Sequence, residues 1–358
     1  MVVKKSLLIP FLITLGLIVF FLIQKDDYGK NNSYQKLYPK FKNIIDQIDK
    51  IEIETSKNSF YIIKKNNSWY LPSYNYYPAD NFKIKNLLLN TAQLKVVDKK
   101  TNNPSYHNKL GLILPINEGS YRLRYLKNDD LLNDFIIGKK SIHKESLSYI
   151  RKLSEDQTWL FKDQFDLYDI EIEWAEDSIL KIAKWRVKSI NIKDIHSSTE
   201  EIFIFKDEYS DQMFKLKNMP KKSELVSGYI LSNYASMLED IKKVNILPFF
   251  DYEISNVMKK IIYKTFDGLL ITINLIKVND KLYAHFEVNS DIKIRKELSK
   301  DASSLLGLPV MKKFEDIKTE AQRYNYISDW LYEVNKDFNK EFLKNFSALV
   351  KQKENNQD

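Results

Sequence analysis

The residues best suited to metal or thiol chemistry are few in this sequence. The four histidines are His107, His143, His196 and His285, and no two lie four residues apart, the spacing that places two metal ligands on one helix face. There is no cysteine, which excludes thiol nucleophiles, cysteine-bound zinc and disulfides. We therefore expect neither a metal site nor a cofactor.

Patterns for phosphate binding and nucleophilic catalysis are also incomplete. The "GKK" at Gly138 would need a glycine at Asn133 to form a P-loop, so we interpret it as a hairpin turn. No G-x-S-x-G sequence offers a serine nucleophile.

Carboxylate pairs are the remaining catalytic candidates, because two such groups can carry out glycoside hydrolysis. The pairs are Asp129-Asp130, Glu171/Glu173 and Glu200-Glu201. They lie in polar stretches typical of solvated segments, so we expect no enzymatic activity and no catalytic residue, with a hydrolase as the alternative.

The stretch "SWYLPSYNYYPAD" (68–80) is the one aromatic cluster that resembles a binding surface. Its prolines and closing Asp are typical of a connection between a strand and a helix. Tyr74, Tyr76 and Tyr77 within it are the best candidates for contact with a partner. Trp69 recurs as Phe214 and Trp330 before other helical patterns, which favours a core position over ligand stacking.

Composition indicates a folded chain long enough for two domains. It has 358 residues, 44% of them hydrophobic and 29% charged, and a formal charge of +8. Basic charge suits anionic partners, but lysine is abundant in every segment and no nucleic-acid module accompanies it. We expect no nucleic-acid partner.

The N-terminus predicts a membrane anchor. Residues 6–24 carry no charge and follow Lys4 and Lys5, which the positive-inside rule keeps in the cytoplasm. A cleaved signal peptide is the alternative, but "FFLIQKDDYG" contains no small-residue cleavage site. The prediction is a single-pass protein of the bacterial inner membrane, with a cytoplasmic N-terminus and a periplasmic or otherwise extracytoplasmic body.

Beyond residue 45 the pattern of strands and helices repeats. "IDKIEIE" (48–54) alternates apolar and polar residues as a half-buried strand does, and "VKSINIK" (187–193) has the same alternation. Each is followed by further short strands and a helical pattern, at 81–94 with Asp80 as N-cap and at 223–244 with Ser223. This predicts an α+β fold: a transmembrane helix, two related antiparallel-sheet-plus-helix units, and a closing C-terminal strand and helix.

The predicted organisation has seven parts. They are a cytoplasmic tail (1–5), an anchor (6–24), a linker (25–45), a first repeat (46–183), a second repeat (184–290), a helical insertion with the closing strand and helix (291–350), and a polar tail (351–358).

Several motifs resemble the bacterial domain-of-unknown-function family DUF4340, clearly over about 46–165 and more faintly in the second copy. They are the K-I-x-I strand at 50–53, the W-x-L strand at 69–71, the P-A-D helix start at 78–80, the paired leucines at 87–88, the K-L-G-L turn at 109–112 and the hairpin from 135 to 152. The resemblance implies a membrane-anchored protein, often encoded near ABC-transporter auxiliary proteins of the gliding-motility type. It implies no catalytic residue.

The resulting hypothesis is a non-catalytic, membrane-anchored extracytoplasmic accessory or scaffold protein of an ABC-type envelope transport system. Its expected partners are the lipid bilayer and membrane-transport or envelope proteins. The alternative is an envelope glycan- or lipid-binding module that uses the tyrosine-rich connection 73–77.

Overall fold

Two units make up the chain. The computed structural model describes residues 35–142, 146–196, 200–251, 257–296 and 307–353. By its internal contacts, the first unit contains the chain up to Ser73 and residues 78–174, and the second contains residues 74–77 and the chain from Ala175 onward.

The first unit is built on one antiparallel sheet of ten strands. The strands are β1 (Gln35–Lys36), β2 (Lys50–Glu54), β3 (Ser59–Lys65), β4 (Ser68–Leu71), β5 (Tyr77–Pro78), β6 (Lys95–Lys99), β7 (Tyr121–Lys127), β8 (Asp130–Lys140), β9 (Leu147–Lys152) and β10 (Thr158–Lys162). Their order across the sheet is β1-β6-β10-β9-β8-β7-β2-β3-β4-β5. The helices are α1 (Asn81–Gln93) and the single-turn α2 (His107–Leu110).

Apolar and charged residues alternate along β2, and the apolar ones mark the buried face of this sheet. Ile51 and Ile53 are completely buried, whereas Glu52 and Glu54 point to the opposite, half-exposed face. The hairpin turns suit this twisted sheet, because Asn66-Asn67 and Asn128-Asp129 have positive φ at both positions, the geometry that matches the strand twist.

Helix α1 packs on the buried face and is anchored at both ends. Asp80 is its N-cap, and its carboxylate accepts hydrogen bonds from the backbone N–H groups of Phe82 and Lys83 at 2.8 and 3.2 Å. In its last turn the buried Thr91 hydroxyl lies 2.7 Å from the hydroxyl of Tyr125 on β7. The predicted helix with its Asp80 cap is therefore confirmed.

The second unit contains a nine-stranded antiparallel sheet and a two-stranded sheet. The strands are β11 (Ser178–Leu180), β12 (Val187–Asp194), β13 (Ile202–Phe205), β14 (Lys215–Leu216), β15 (Ser223–Leu225), β16 (Ile241–Pro248), β17 (Val257–Thr265), β18 (Leu269–Val278), β19 (Lys281–Ser290), β20 (Trp330–Val334) and β21 (Val350–Gln352). The helices are α3 (Ile230–Ser236), α4 (Phe314–Arg323) and α5 (Lys336–Phe342).

The two large sheets have the same strand order. The first contains the run β6-β10-β9-β8-β7-β2-β3-β4 and the second the run β16-β20-β19-β18-β17-β12-β13-β14. The pairing registers match as well, because Ile51 lies opposite Tyr125 and Ile190 lies opposite Tyr263. This equivalence agrees with the repetition of "IDKIEIE" as "VKSINIK" in the sequence.

A buried tyrosine also connects sheet and helix in the second unit. Tyr263 on β17 is completely buried, and its hydroxyl donates a 2.7 Å hydrogen bond to the backbone carbonyl of Tyr234 in α3. The Tyr234 hydroxyl in turn donates to the carbonyl of Glu341 in α5 at 3.0 Å. Two short helices are thereby fixed against the sheet.

The predicted α+β fold class is wrong, because strands form more of the structure than helices do. Antiparallel sheets dominate both units, and the helix predicted over 223–244 is reduced to α3. Ser223, the predicted N-cap, lies in β15, which pairs with the distant β21. This long-range pairing overrides the local helical periodicity.

The predicted closing strand and helix correspond to β20 and α5, and the strand is part of the large sheet. Trp330 begins β20, which lies between β16 and β19 in the nine-stranded sheet. The equivalent strand of the first sheet is β10, where "TWLFK" corresponds to "WLYEV". The pairing registers make Trp159 equivalent to Tyr332, so the predicted match of Trp330 to Trp69 is wrong.

The predictions that concern the membrane require correction. The predicted anchor at 6–24 lies outside the described residues. Within the described ranges, no helix combines the length and apolar character needed to span a membrane. The single-pass topology, the transmembrane element of the fold class and the inner-membrane localisation are therefore not supported.

Trp69 on β4 tests the packing of the first sheet. Its side chain is 6% exposed, so Trp69→Ala should lower the free energy of unfolding by roughly 3–5 kcal/mol through the cavity it leaves. The matched control is Tyr70→Ala, the next residue on the same strand, which is half-buried on the opposite face. Urea unfolding followed by circular dichroism measures both. Equal effects of the two substitutions would contradict the assignment of Trp69 to the core.

Candidate functional site

The tyrosine-rich connection presents less aromatic surface than its sequence suggests. Tyr76 is 45% exposed, Tyr74 is half-buried and Tyr77 is completely buried. Asn75 and Tyr76 both have positive φ, so the chain turns sharply here and directs successive rings differently. The connection therefore offers one well-exposed ring.

Tyr77 belongs to the core of the second unit. Its ring packs edge-on against Trp330 at a centroid distance of 5.0 Å, and the rings of Tyr326 and Tyr332 lie at 6.5 and 6.2 Å. Burial raises the pKa of the Tyr77 hydroxyl far above its usual value. Its surroundings are those of a packing residue.

The described histidines have structural partners or lie at the surface. The Nε2 atoms of His107 and His285 lie 2.8 and 2.9 Å from the backbone carbonyls of Asp156 and Ser328. His285 also stacks on Phe249 at 3.9 Å, and His196 is exposed. His143 lies outside the described residues. In the parts of the chain that the structure describes, no group of three His, Asp or Glu side chains is arranged to hold a metal ion.

The three carboxylate pairs are not assembled into one site. Asp129 binds Lys50 at 3.1 Å, while Glu200 and Glu201 are exposed. Glu171 is the buried member, and its Oε1 accepts a hydrogen bond from the Ser73 backbone N–H at 3.3 Å. Burial raises the pKa of Glu171, and the bond from Ser73 opposes that rise.

The most deeply buried ionic cluster is structural. The Arg186 guanidinium binds Asp267 at 2.7 Å and both carboxylate oxygens of Glu320 at 2.8 and 2.9 Å. Lys312 also binds Glu320, at 2.9 Å. Because Glu320 lies on α4 and Arg186 just before β12, the cluster fixes that helix to the sheet.

In the first unit, the outer face of the sheet is neutralised by ion pairs. Arg124 binds Glu52 at 2.7 Å, and Arg122 binds Glu54 at 3.2 Å and Asp134 at 2.8 Å. Lys50 adds a pair to Glu52 at 2.9 Å. These partners lie on β2, β7 and β8, on the face opposite the buried isoleucines.

The equivalent face of the second unit lacks these carboxylates. By register, Glu52, Glu54 and Asp134 correspond to Asn191, Lys193 and Thr272. Lys193 lies directly opposite Lys260, where the first unit pairs Glu54 with Arg122. Like charges facing each other across strands are unfavourable. Arg124 corresponds to the uncharged Ile262, and Glu287 lies opposite Thr272, so the excess of positive charge at these positions is that of Lys193 and Lys260.

A cavity of about 540 Å³ opens on this face, and we call it the lysine–phenylalanine cavity. Its characteristic side chains are Lys188, Lys206, Lys264, Lys293, Lys296, Phe203 and Phe205. The rings of Phe203 and Phe205, two residues apart on β13, lie 5.8 Å from each other on the outer face. The combination of cations and aromatic rings is suited to binding an anion and contains no nucleophile paired with a base.

Two of the lysines have lowered pKa values, and at Lys188 neighbouring positive charges contribute to the lowering. Burial lowers the pKa of Lys188, and the charges of Lys296 and Lys264 lower it further. The Lys188 ammonium donates to the carbonyl of Ile294 at 2.9 Å. Burial also lowers the pKa of Lys206, whose ammonium turns inward to the carbonyl of Trp185 at 3.2 Å.

Reasoning from sequence missed this cavity because lysine is abundant throughout the chain. One signal was present, since "IDKIEIE" and "VKSINIK" differ at each acidic position of the first copy. This difference can be interpreted only with the strand register, which places Asn191 opposite Phe203 and Lys193 opposite Lys260.

Comparison with known proteins gives one match. The family model described as "Domain of unknown function (DUF4340)" matches residues 69–257, more than half of the chain. No curated protein and no solved structure matches this chain.

The ionic cluster yields a test with an internal control on α4. Glu320→Gln should cost roughly 1.5–3 kcal/mol of unfolding free energy, the range for hydrogen bonds to charged groups. Glu315→Gln, at an exposed site paired with Lys318, should cost no more than about 0.5 kcal/mol. Urea unfolding at pH 7 compares the two.

Acidification extends this test. Burial acts to raise the pKa of Glu320, but bonds and charges from Arg186 and Lys312 outweigh it, so the pKa is lowered. The wild-type protein should therefore lose this stabilisation as the pH falls below about 4.3, the usual glutamate value, and Glu320→Gln should lack that component. Identical acid profiles would contradict the role of Glu320.

Proposed function

This chain belongs to the DUF4340 family, as its motifs predicted, and we propose that it is a non-catalytic accessory protein that acts as a scaffold. It binds protein partners and transforms no substrate. The partner that we propose is an ABC-type transport assembly. The family resemblance supports this partner, because it implies that such chains are often encoded near ABC-transporter auxiliary proteins.

One observation carries the non-catalytic part of this proposal. The buried groups with the chemistry of catalysts serve structural bonds: the histidines contact backbone carbonyls, and Arg186, Asp267 and Glu320 bind one another. These bonds fix the side chains in place and stabilise the fold.

The scaffold part rests on the architecture. Each unit contains a large sheet with charged side chains on its outer face, and these charges differ although the strand order is the same. Surfaces of different charge suit a protein that contacts more than one partner. The alternative of a glycan- or lipid-binding module in the connection 73–77 gains no support, because Tyr77 is buried.

Purification of the tagged full-length chain from its native cells tests the proposal. After chemical cross-linking, mass spectrometry should recover a permease or ATPase of an ABC-type transporter in near-stoichiometric amount. The same experiment on Tyr76→Ala should reduce recovery severalfold if the exposed ring of the connection is a partner contact.

Tyr61→Ala is the matched control, because Tyr61 is exposed to a similar extent, 41% against 45% for Tyr76. It should leave recovery unchanged. Recovery of the chain without any transporter component would refute the scaffold proposal, and turnover of a substrate by the purified chain would refute its non-catalytic part.

A further inference from the structure

We propose that the lysine–phenylalanine cavity of the second unit is a binding site for a soluble organic phosphate. The phosphate group would contact the lysines, and the organic part would lie against Phe203 and Phe205. This goes beyond the scaffold function, which requires a protein partner and no small ligand.

The charge of the cavity favours an anion. Burial lowers the pKa of Lys188, and the nearby charges of Lys296 and Lys264 lower it further. Lys293 adds a further exposed ammonium. An anion placed among these groups would replace their mutual repulsion by attraction.

Asp207 and Asp291 also line the cavity, but both have other partners. Asp207 binds Lys215, a residue outside the cavity, through a short ion pair. Asp291 accepts a hydrogen bond from the backbone N–H of Lys293 at 2.9 Å, as the N-cap of a short helical turn. Glu208 pairs with Lys296 at an exposed position, and that pair competes with an incoming anion.

A phosphate ester fits the lysines better than a carboxylate does. A phosphate monoester carries about −1.5 to −2 charges at pH 7 and three acceptor oxygens. Lys188 donates one of its three N–H groups to the Ile294 carbonyl, which leaves the others available to a ligand. A carboxylate offers a single charge and two oxygens, so it satisfies fewer of these donors.

The size and the aromatic wall indicate that the ligand has an organic part. The cavity volume of about 540 Å³ is in the range of sites for small organic molecules, well above the space that one phosphate group fills. Phe203 and Phe205 are half-buried and provide an apolar wall beside the charged groups. Aromatic side chains of this kind hold sugar or base rings by stacking.

Calorimetric titration of the full-length chain at low salt tests the site with matched ligands. Glucose 6-phosphate and adenosine monophosphate should each bind at least ~10-fold more tightly than glucuronate, which has a sugar ring but a single charge, because the dianion gains more from the lysines. Both should also bind more tightly than inorganic phosphate. The ratio between the two organic phosphates shows whether the wall accepts a sugar or an aromatic base.

Substitution of Lys264 locates the binding. Lys264→Ala removes an exposed lysine and should weaken binding of the better organic phosphate by ~3- to 10-fold, the loss of one partly solvated charged contact. Lys277→Ala is the control, because Lys277 is an exposed lysine of the same sheet about 23 Å along β18 from the register position of Lys264. It should leave binding unchanged.

Three results would overturn the proposal. They are no heat of binding for either organic phosphate, equal binding of glucuronate and glucose 6-phosphate, and equal weakening by Lys264→Ala and Lys277→Ala. Equal binding of inorganic phosphate would overturn the role of the phenylalanine wall. None of these results bears on the recovery of a transporter, so failure of this site and failure of the scaffold function are distinguishable.

Discussion

The hydroxyl of a completely buried tyrosine ties a helix to the sheet in each unit. Tyr125 bonds Thr91 of α1, and Tyr263 bonds the Tyr234 carbonyl of α3. A buried hydroxyl without a partner costs a few kcal/mol, so a helix must cover this position on the inner face. The inner face of each sheet is therefore covered by a helix. The charges that differ between the two units lie on the outer faces.

The outer faces differ in charge while the frame beneath them is the same. In the first unit Arg122 and Arg124 are matched by carboxylates on neighbouring strands. In the second unit the corresponding positions hold Asn191, Lys193 and Thr272, and the aromatic pair of β13 lies beside them. Cross-strand ion pairs stabilise the first face at these positions, whereas in the second unit Lys193 and Lys260 face each other with like charges.

Local patterns predicted part of this structure. The alternation of "IDKIEIE" placed the buried isoleucines correctly, and Asp80 marked the start of α1, because both depend on neighbours within a few residues. Ser223 failed as a helix cap because β15 pairs with β21, which lies far away in the sequence. The lysine–phenylalanine cavity could not be predicted for the same reason, since it depends on the register between strands.

The central claim is that the lysine–phenylalanine cavity on the outer face of the second unit is an anion site. The most direct measurement places a carboxylate in the cavity lining, as Lys264→Glu, and titrates the full-length variant with glucose 6-phosphate. Because the new carboxylate would lie close to Lys188 and repel an incoming anion, we expect binding to weaken by at least ~10-fold. Unchanged affinity in the folded variant would contradict the account.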